Sequence, residues 1–135
     1  MLVVEKLKHV LQQTPEVRLA VLFGSMSRRT ARPGSDVDVA ILLKSDSDPD
    51  GTRLNVELER ELARSVHLVR LDTAPPLLRF EIARDGLLLI ERETHAWSEF
   101  RAHAMIDWWD WAPTARMMHD TMAARLRQET KRGPS

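Results

Sequence analysis

The chain has no cysteine among its 135 residues, which excludes disulfide staples and thiolate zinc sites alike. That composition fits a reducing compartment, and a cytoplasmic location is the expectation. No apolar run approaches the length of a membrane span or a signal-peptide core, and Glu5, Lys6 and Lys8 charge the first turns. Neither charge is in excess: 20 Lys and Arg balance 20 Asp and Glu. A binder that relies on contacts to a nucleic-acid backbone is therefore not expected, and no membrane partner is. The five histidines show no HxxxH or HExxH spacing, which argues against a zinc enzyme. No internal repeat, low-complexity segment or domain boundary is visible. The chain reads as one domain, large enough for a core without staples.

What is present is hydrophobic periodicity. Val3, Leu7, Val10 and Leu11 recur at helical spacing, which predicts an amphipathic helix from Met1 to Gln13, ended by Thr14-Pro15. Val17 to Phe23 reads as a buried strand. Leu54, Leu58 and Leu62, spaced by four, predict a helix whose charged residues form a solvated face. Val66 to Leu71 alternates as a third strand, with His67 and Val69 on one face. A short helix, Leu77 to Arg84, follows Pro75-Pro76, and Leu87 to Ile90 is a compact apolar strand. The polar loop Lys44 to Gly51 alternates Asp46, Asp48 and Asp50. It lacks the closing glutamate and turn glycine of a calcium loop, and Pro49 interrupts it.

The C-terminal third changes character. All four tryptophans, Trp97, Trp108, Trp109 and Trp111, fall within fifteen residues. Trp97, Phe100, Ala104, Trp108 and Trp111 form one helical stripe; Met105, Trp109 and Ala112 form a second. With Pro113 suited to a first helical turn, the expectation is a helical hairpin over about 94–130, covering a core of about 1–93. One core contact consumes one stripe. The second stripe, with Met117, Met118 and Met122, predicts a partner surface through Trp109 and the methionines.

The chain is organised around Gly24 to Leu43. The first strand stops at Gly24-Ser25, a corner able to bring backbone N–H groups and a hydroxyl close to a ligand. A helical turn after Ser25 would favour an anion. Pro33-Gly34 then turns the chain into a second strand carrying Asp36 and Asp38 on one face, about 6–7 Å apart. Val37, Val39 and Ile41 alternate with them toward the core. Two carboxylates that close repel unless a cation lies between them. A phosphate cradle one hairpin away from such a pair is what nucleotidyl transfer requires.

Gly-Ser, ten residues, then Asp-x-Asp resembles the signature of the DNA polymerase β-like nucleotidyltransferase superfamily. The size and flanks look like its minimal nucleotidyltransferase (MNT) branch, many of whose members are antitoxins paired with HEPN-domain toxins. Leu71 to Gly86 is similar to the segment after the third core strand of MNT proteins, so the resemblance spans roughly Val17 to Glu91. It implies an α/β (α+β) fold with a mixed sheet and flanking helices. It also implies that Asp36 and Asp38 hold Mg²⁺, with Gly24, Ser25 and Arg28 on the nucleotide phosphates. The glycine usual after that arginine is Arg29 here, and Ser35 is expected to cap the turn into the second strand. The implied reaction moves AMP from ATP to a hydroxyl, typically a tyrosine, of a HEPN toxin held in a hetero-oligomer.

One position departs from the family. A third carboxylate is usual on the next core strand, and the alignment puts His67 there, among the catalytic residues. Imidazole is a poor ligand for Mg²⁺. That substitution implies a weakened site, a softer ion such as Mn²⁺, or an antitoxin acting by binding alone. A transferase for small molecules of the aminoglycoside kind is the remaining alternative, although 135 residues leave little room for its usual second domain.

Overall fold

A computed structural model of the chain describes residues 2–24, 36–44 and 51–131. The elements run α1 (Leu2–Gln12), β1 (Val17–Phe23), β2 (Val37–Leu43), α2 (Thr52–Leu62), β3 (Val66–Arg70), α3 (Pro76–Asp85), β4 (Leu87–Glu91) and α4 (Ala96–Lys131). The four strands form one mixed sheet in the order β3-β2-β1-β4. β1 is antiparallel to both neighbours, whereas β2 and β3 run parallel across the α2 crossover. The loop from Lys44 to Gly51 falls largely outside the described residues.

Side-chain alternation along the strands divides the interior in two. Val37, Val39 and Ile41 of β2 pack with Leu7 and Leu11 of α1 and with Leu54, Leu58 and Leu62 of α2. On the other face Ala40 packs with Leu19, Val21 and Phe23 of β1, Ile82 of α3 and Phe100 and Ala104 of α4, with Leu42 and Val69 at its margin. Val17 and Leu19 face opposite ways despite their spacing, because the β1–β2 register shifts between them.

Arg92, just beyond β4, ties the sheet to the end of α1. Its guanidinium donates to the carbonyls of Val17 at 2.8 Å, Leu11 at 2.7 Å, Gln12 at 3.1 Å and Thr14 at 3.2 Å. A helix end leaves carbonyls without intrahelical partners, and a charged donor meets that need. Nothing in the one-dimensional pattern marks Arg92 for this role.

The expected C-terminal hairpin is corrected. α4 is one continuous helix of 36 residues with Pro113 inside it. Proline removes a single helical hydrogen bond, and here it does so at an exposed position, where solvent can satisfy the Trp109 carbonyl. No glycine or asparagine lies near Pro113 to provide the left-handed residue that commonly ends a helix.

The first expected stripe does cover the body. Trp97 and Phe100 stack at 5.9 Å, Phe80 of α3 and Trp108 stack at 5.1 Å, and Arg79 lies over the Phe100 ring. Beyond this contact Trp109 is 77% exposed and Met117 69% exposed, whereas Met105 of the second stripe packs against the core and Trp111 of the first is exposed. The side chain of Met118 lies outside the described residues.

Candidate functional site

The site forms where three neighbouring strands line up their ends. Phe23 at the end of β1 pairs with Asp38 near the start of β2, and Asp38 pairs in turn with His67 on β3. Period-two alternation sends Asp38 to the side of Ala40 and Leu42, the α3–α4 face. The carboxylate stands at the rim of that face, beyond the apolar cluster.

Gly24 closes one side of it. Its backbone has φ +73°, in the left-handed region that L side chains rarely adopt. A Cβ at Gly24 would overlap Oδ2 of Asp38 and lie 3.2 Å from its Cγ. The glycine corner therefore lies directly against the carboxylate. His67 lies on the other side, with Nδ1 3.1 Å from Oδ1 of Asp38. The Asp38 side chain is 25% exposed and that of His67 64%, so the pair opens to solvent.

Asp36 is not within the strand. β2 begins at Val37, whose N–H donates to the Ser65 carbonyl at 3.0 Å, and Asp36 is exposed just before it. Aspartate disfavours strands, and this position lies where the ladder starts. Ser25, Arg28, Arg29 and Ser35 lie outside the described residues. Of the six expected site residues, the fold thus brings Gly24 and His67 each against Asp38 and puts Asp36 at the strand entrance. Among the described residues no three His, Cys, Asp or Glu side chains converge as a ready-made metal cage.

Sequence reading missed a second concavity on the same sheet face, at the opposite end of the strands. It has a volume of about 260 Å³ and is lined in part by Arg18, Leu42, Asp72, Arg79, Glu93 and Phe100. Arg18 grips Glu93 through two hydrogen bonds of 2.8 and 2.7 Å. That hydrogen bonding, aided by the attraction of the charges, holds the Glu93 carboxyl below its ordinary range and raises the Arg18 guanidinium. Arg79 donates to Asp107 at 3.1 Å and Arg70 to Asp72 at 2.8 Å. Arg18 and Glu93 lie 75 residues apart and Arg79 and Asp107 28 apart, so no local motif could have announced those two pairs.

A family model for polymerase β nucleotidyltransferases matches residues 5–95. The chain belongs to that family. No curated protein matches it. Among solved structures, a toxin–antitoxin with AMP-PNP is similar at 24% identity and a TM-score of 0.75, covering 88% of this chain and 98% of that one. The MntA–HepT toxin–antitoxin is similar at 22% identity and a TM-score of 0.70, covering 90% and 97%. The complex of a tri-AMPylated Shewanella oneidensis HEPN toxin with MNT antitoxin matches at 23% identity and a TM-score of 0.70, with the same coverage. The mixed sheet with flanking helices is the polymerase β-like nucleotidyltransferase fold. Among the described residues no helix is long and apolar enough to cross a membrane.

Proposed function

We propose that this chain is the MNT antitoxin of a HEPN/MNT pair and transfers AMP from ATP to a hydroxyl, most simply a tyrosine, of its toxin. The observation that carries this reading is the contact of the Gly24 corner with the Asp38 carboxylate, made on a nucleotidyltransferase fold. The similar structures include an AMP-PNP complex and an AMPylated toxin, which supports ATP as donor and a protein as acceptor.

In this reaction the acceptor oxygen forms a bond to the α-phosphorus, and the bond from that phosphorus to the β-phosphate oxygen breaks. Pyrophosphate leaves with the electron pair. The carboxylates of Asp36 and Asp38 are hard oxygen donors suited to Mg²⁺. Gly24 leaves room beside Asp38, where a Cβ would intrude. When bound, Mg²⁺ supplies positive charge to the phosphate oxygens. Ser25 and Arg28 are assigned to the β- and γ-phosphates, Arg28 as a fixed cation. His67 orients Asp38 from its Oδ1 side. With an imidazole where a third carboxylate would complete the site, transfer in Mg²⁺ is slow.

The same substitution favours a second reading, an antitoxin that works by binding alone. ATP labelled at the α-phosphate, incubated with the chain and its toxin, separates the two. Label on the toxin that disappears in Asp38→Asn is the expected result. A tight complex that stays unlabelled in both Mg²⁺ and Mn²⁺ would replace transfer by binding.

A further inference from the structure

We infer that Glu59 is a positioning residue for the transfer site: through the Ser65–Val66 peptide its carboxylate holds the entrance of β2, where Val37 lies between Asp36 and Asp38. The inference rests on the reading of this site as the one that performs transfer. It adds a residue that lies outside the motif.

One peptide unit is gripped from both ends. Its N–H belongs to Val66 and donates to Oε2 of Glu59 at 3.1 Å. Its carbonyl belongs to Ser65 and accepts the Val37 N–H at 3.0 Å. β3 is an edge strand, and the parallel ladder uses the Ser65 carbonyl. The Val66 N–H therefore turns away from β2 and needs a partner from elsewhere. Glu59, partly buried in the last turn of α2, supplies it. The chain returns this sharply because Ala63 ends α2 in the left-handed conformation, φ 53°. An alanine stays in that region only where neighbouring contacts over-determine it. The Glu59 contact, which spans seven residues across the turn, is one of them.

The chemistry of the contact makes it more than a brace. A hydrogen bond to an ionised acceptor is about twice as strong as one between neutral groups. It also polarises the peptide that donates it, so the Ser65 carbonyl becomes a better acceptor for Val37. The run from Glu59 to Val37 thus ends between the two acids. From the same peptide β3 continues to His67, whose Nδ1 meets Asp38. Both members of the Asp38–His67 contact therefore follow directly from the unit that Glu59 fixes. A displacement of about 1 Å at a reacting centre can cost about 100-fold in rate, so a contact that sets only backbone position has a kinetic consequence.

Glu59→Ala and Glu59→Gln in the full chain test this, with labelled ATP and the toxin for rates and amide NMR for the backbone. Assays run well below the melting temperature of each variant keep lost stability apart from lost rate. In Glu59→Ala kcat should fall about tenfold with KM for ATP unchanged within about twofold, because no contact to the nucleotide is removed. Glu59→Gln keeps an acceptor oxygen and should restore kcat to within about threefold of the original. The Val37 amide proton should move upfield in both variants, further in Glu59→Ala. That of Leu71, which donates to Ile41 at the far end of the same strand pair, should stay in place. Equal losses in the two variants, or a Val37 amide that does not move, overturn the inference. So does full kcat in Glu59→Ala, a result that leaves the transfer reading standing. An unaltered chain that labels nothing overturns the transfer reading and this inference with it.

Discussion

The α3–α4 face of the sheet carries acidic groups at both ends, and the two ends treat them differently. At the Arg18 end each named carboxylate has an arginine: Glu93 with Arg18, Asp107 with Arg79, Asp72 with Arg70. At the Gly24 end Asp38 has only a largely exposed histidine and a glycine corner among its described contacts. No lysine or arginine among the described residues pairs with Asp36 or Asp38. Among the described residues, guanidinium partners are supplied freely elsewhere on this face and not to these two acids. Paired acids hold elements together; the others are available to a ligand.

Charge removal at the two ends should therefore have opposite consequences, and the largest expected effect is at Asp38. Asp38→Asn should lower AMP transfer by at least about 100-fold, exceeding the loss typical of an outer-shell partner. Its melting temperature without metal should hold or rise slightly, because repulsion with Asp36 is relieved. Initial rates with labelled ATP, set beside thermal melts, measure both. A variant that transfers normally would end the enzyme reading.

Gly24→Ala probes the same end through the backbone. The left-handed conformation costs an L-residue about 1–2 kcal/mol, and the new methyl must displace the Asp38 carboxylate. Stability should fall by about that amount in a denaturant titration, and transfer by about tenfold. If stability falls but transfer does not, the corner is only a turn.

A parallel contrast runs along α4. Phe100, on the covered stripe, is 9% exposed, whereas Trp109 is 77% exposed and stacks on no ring among the described residues. Trp109→Glu should leave the isolated chain within about 0.5 kcal/mol of its original stability, as surface substitutions usually do. It should weaken the toxin complex by about 2 kcal/mol, roughly thirtyfold in Kd, if Trp109 is an anchor. Loss of monomer stability instead would mean that the exposed stripe packs within the chain.

Much of this was legible in sequence because the signals were local. Strand alternation located β1, β2 and β3 within a residue or two, and the fourfold leucine spacing located α2. Gly24, Asp38 and His67 could be named together through the family resemblance, and the parallel β2–β3 register is why Asp38 and His67 meet. What failed depended on the absence of a signal. Pro113 was read as a helix start, yet a helix ends only if something caps it, and that stretch contains no such residue. Asp36 was expected inside the strand because alternation cannot say where a ladder begins. The Arg18–Glu93 and Arg79–Asp107 pairs and the Arg92 clasp join residues tens of positions apart, and no single-chain pattern encodes their register.

The smallest expected effect is at the paired end, and it is a pH effect. Arg18 hydrogen-bonds to the Glu93 carboxylate and thereby lowers its pKa below the ordinary value of 4.5. The unfolded chain, lacking that partner, takes up the proton first as pH falls. The pair therefore contributes stability above about pH 4.5, and that contribution is lost as pH drops through the folded-state value. Arg18 is shifted the other way, raised by its hydrogen bond to Glu93, so its share is present throughout the accessible range. Both side chains are partly open to water, which keeps the effect small. Melting temperatures at pH 3 and pH 6 should show a slightly larger acid loss for the unaltered chain than for Glu93→Gln, which has no carboxylate to protonate. If Glu93→Gln keeps the full acid loss, the Arg18 pair is not coupled to folding, and the distinction between the two ends rests on geometry alone.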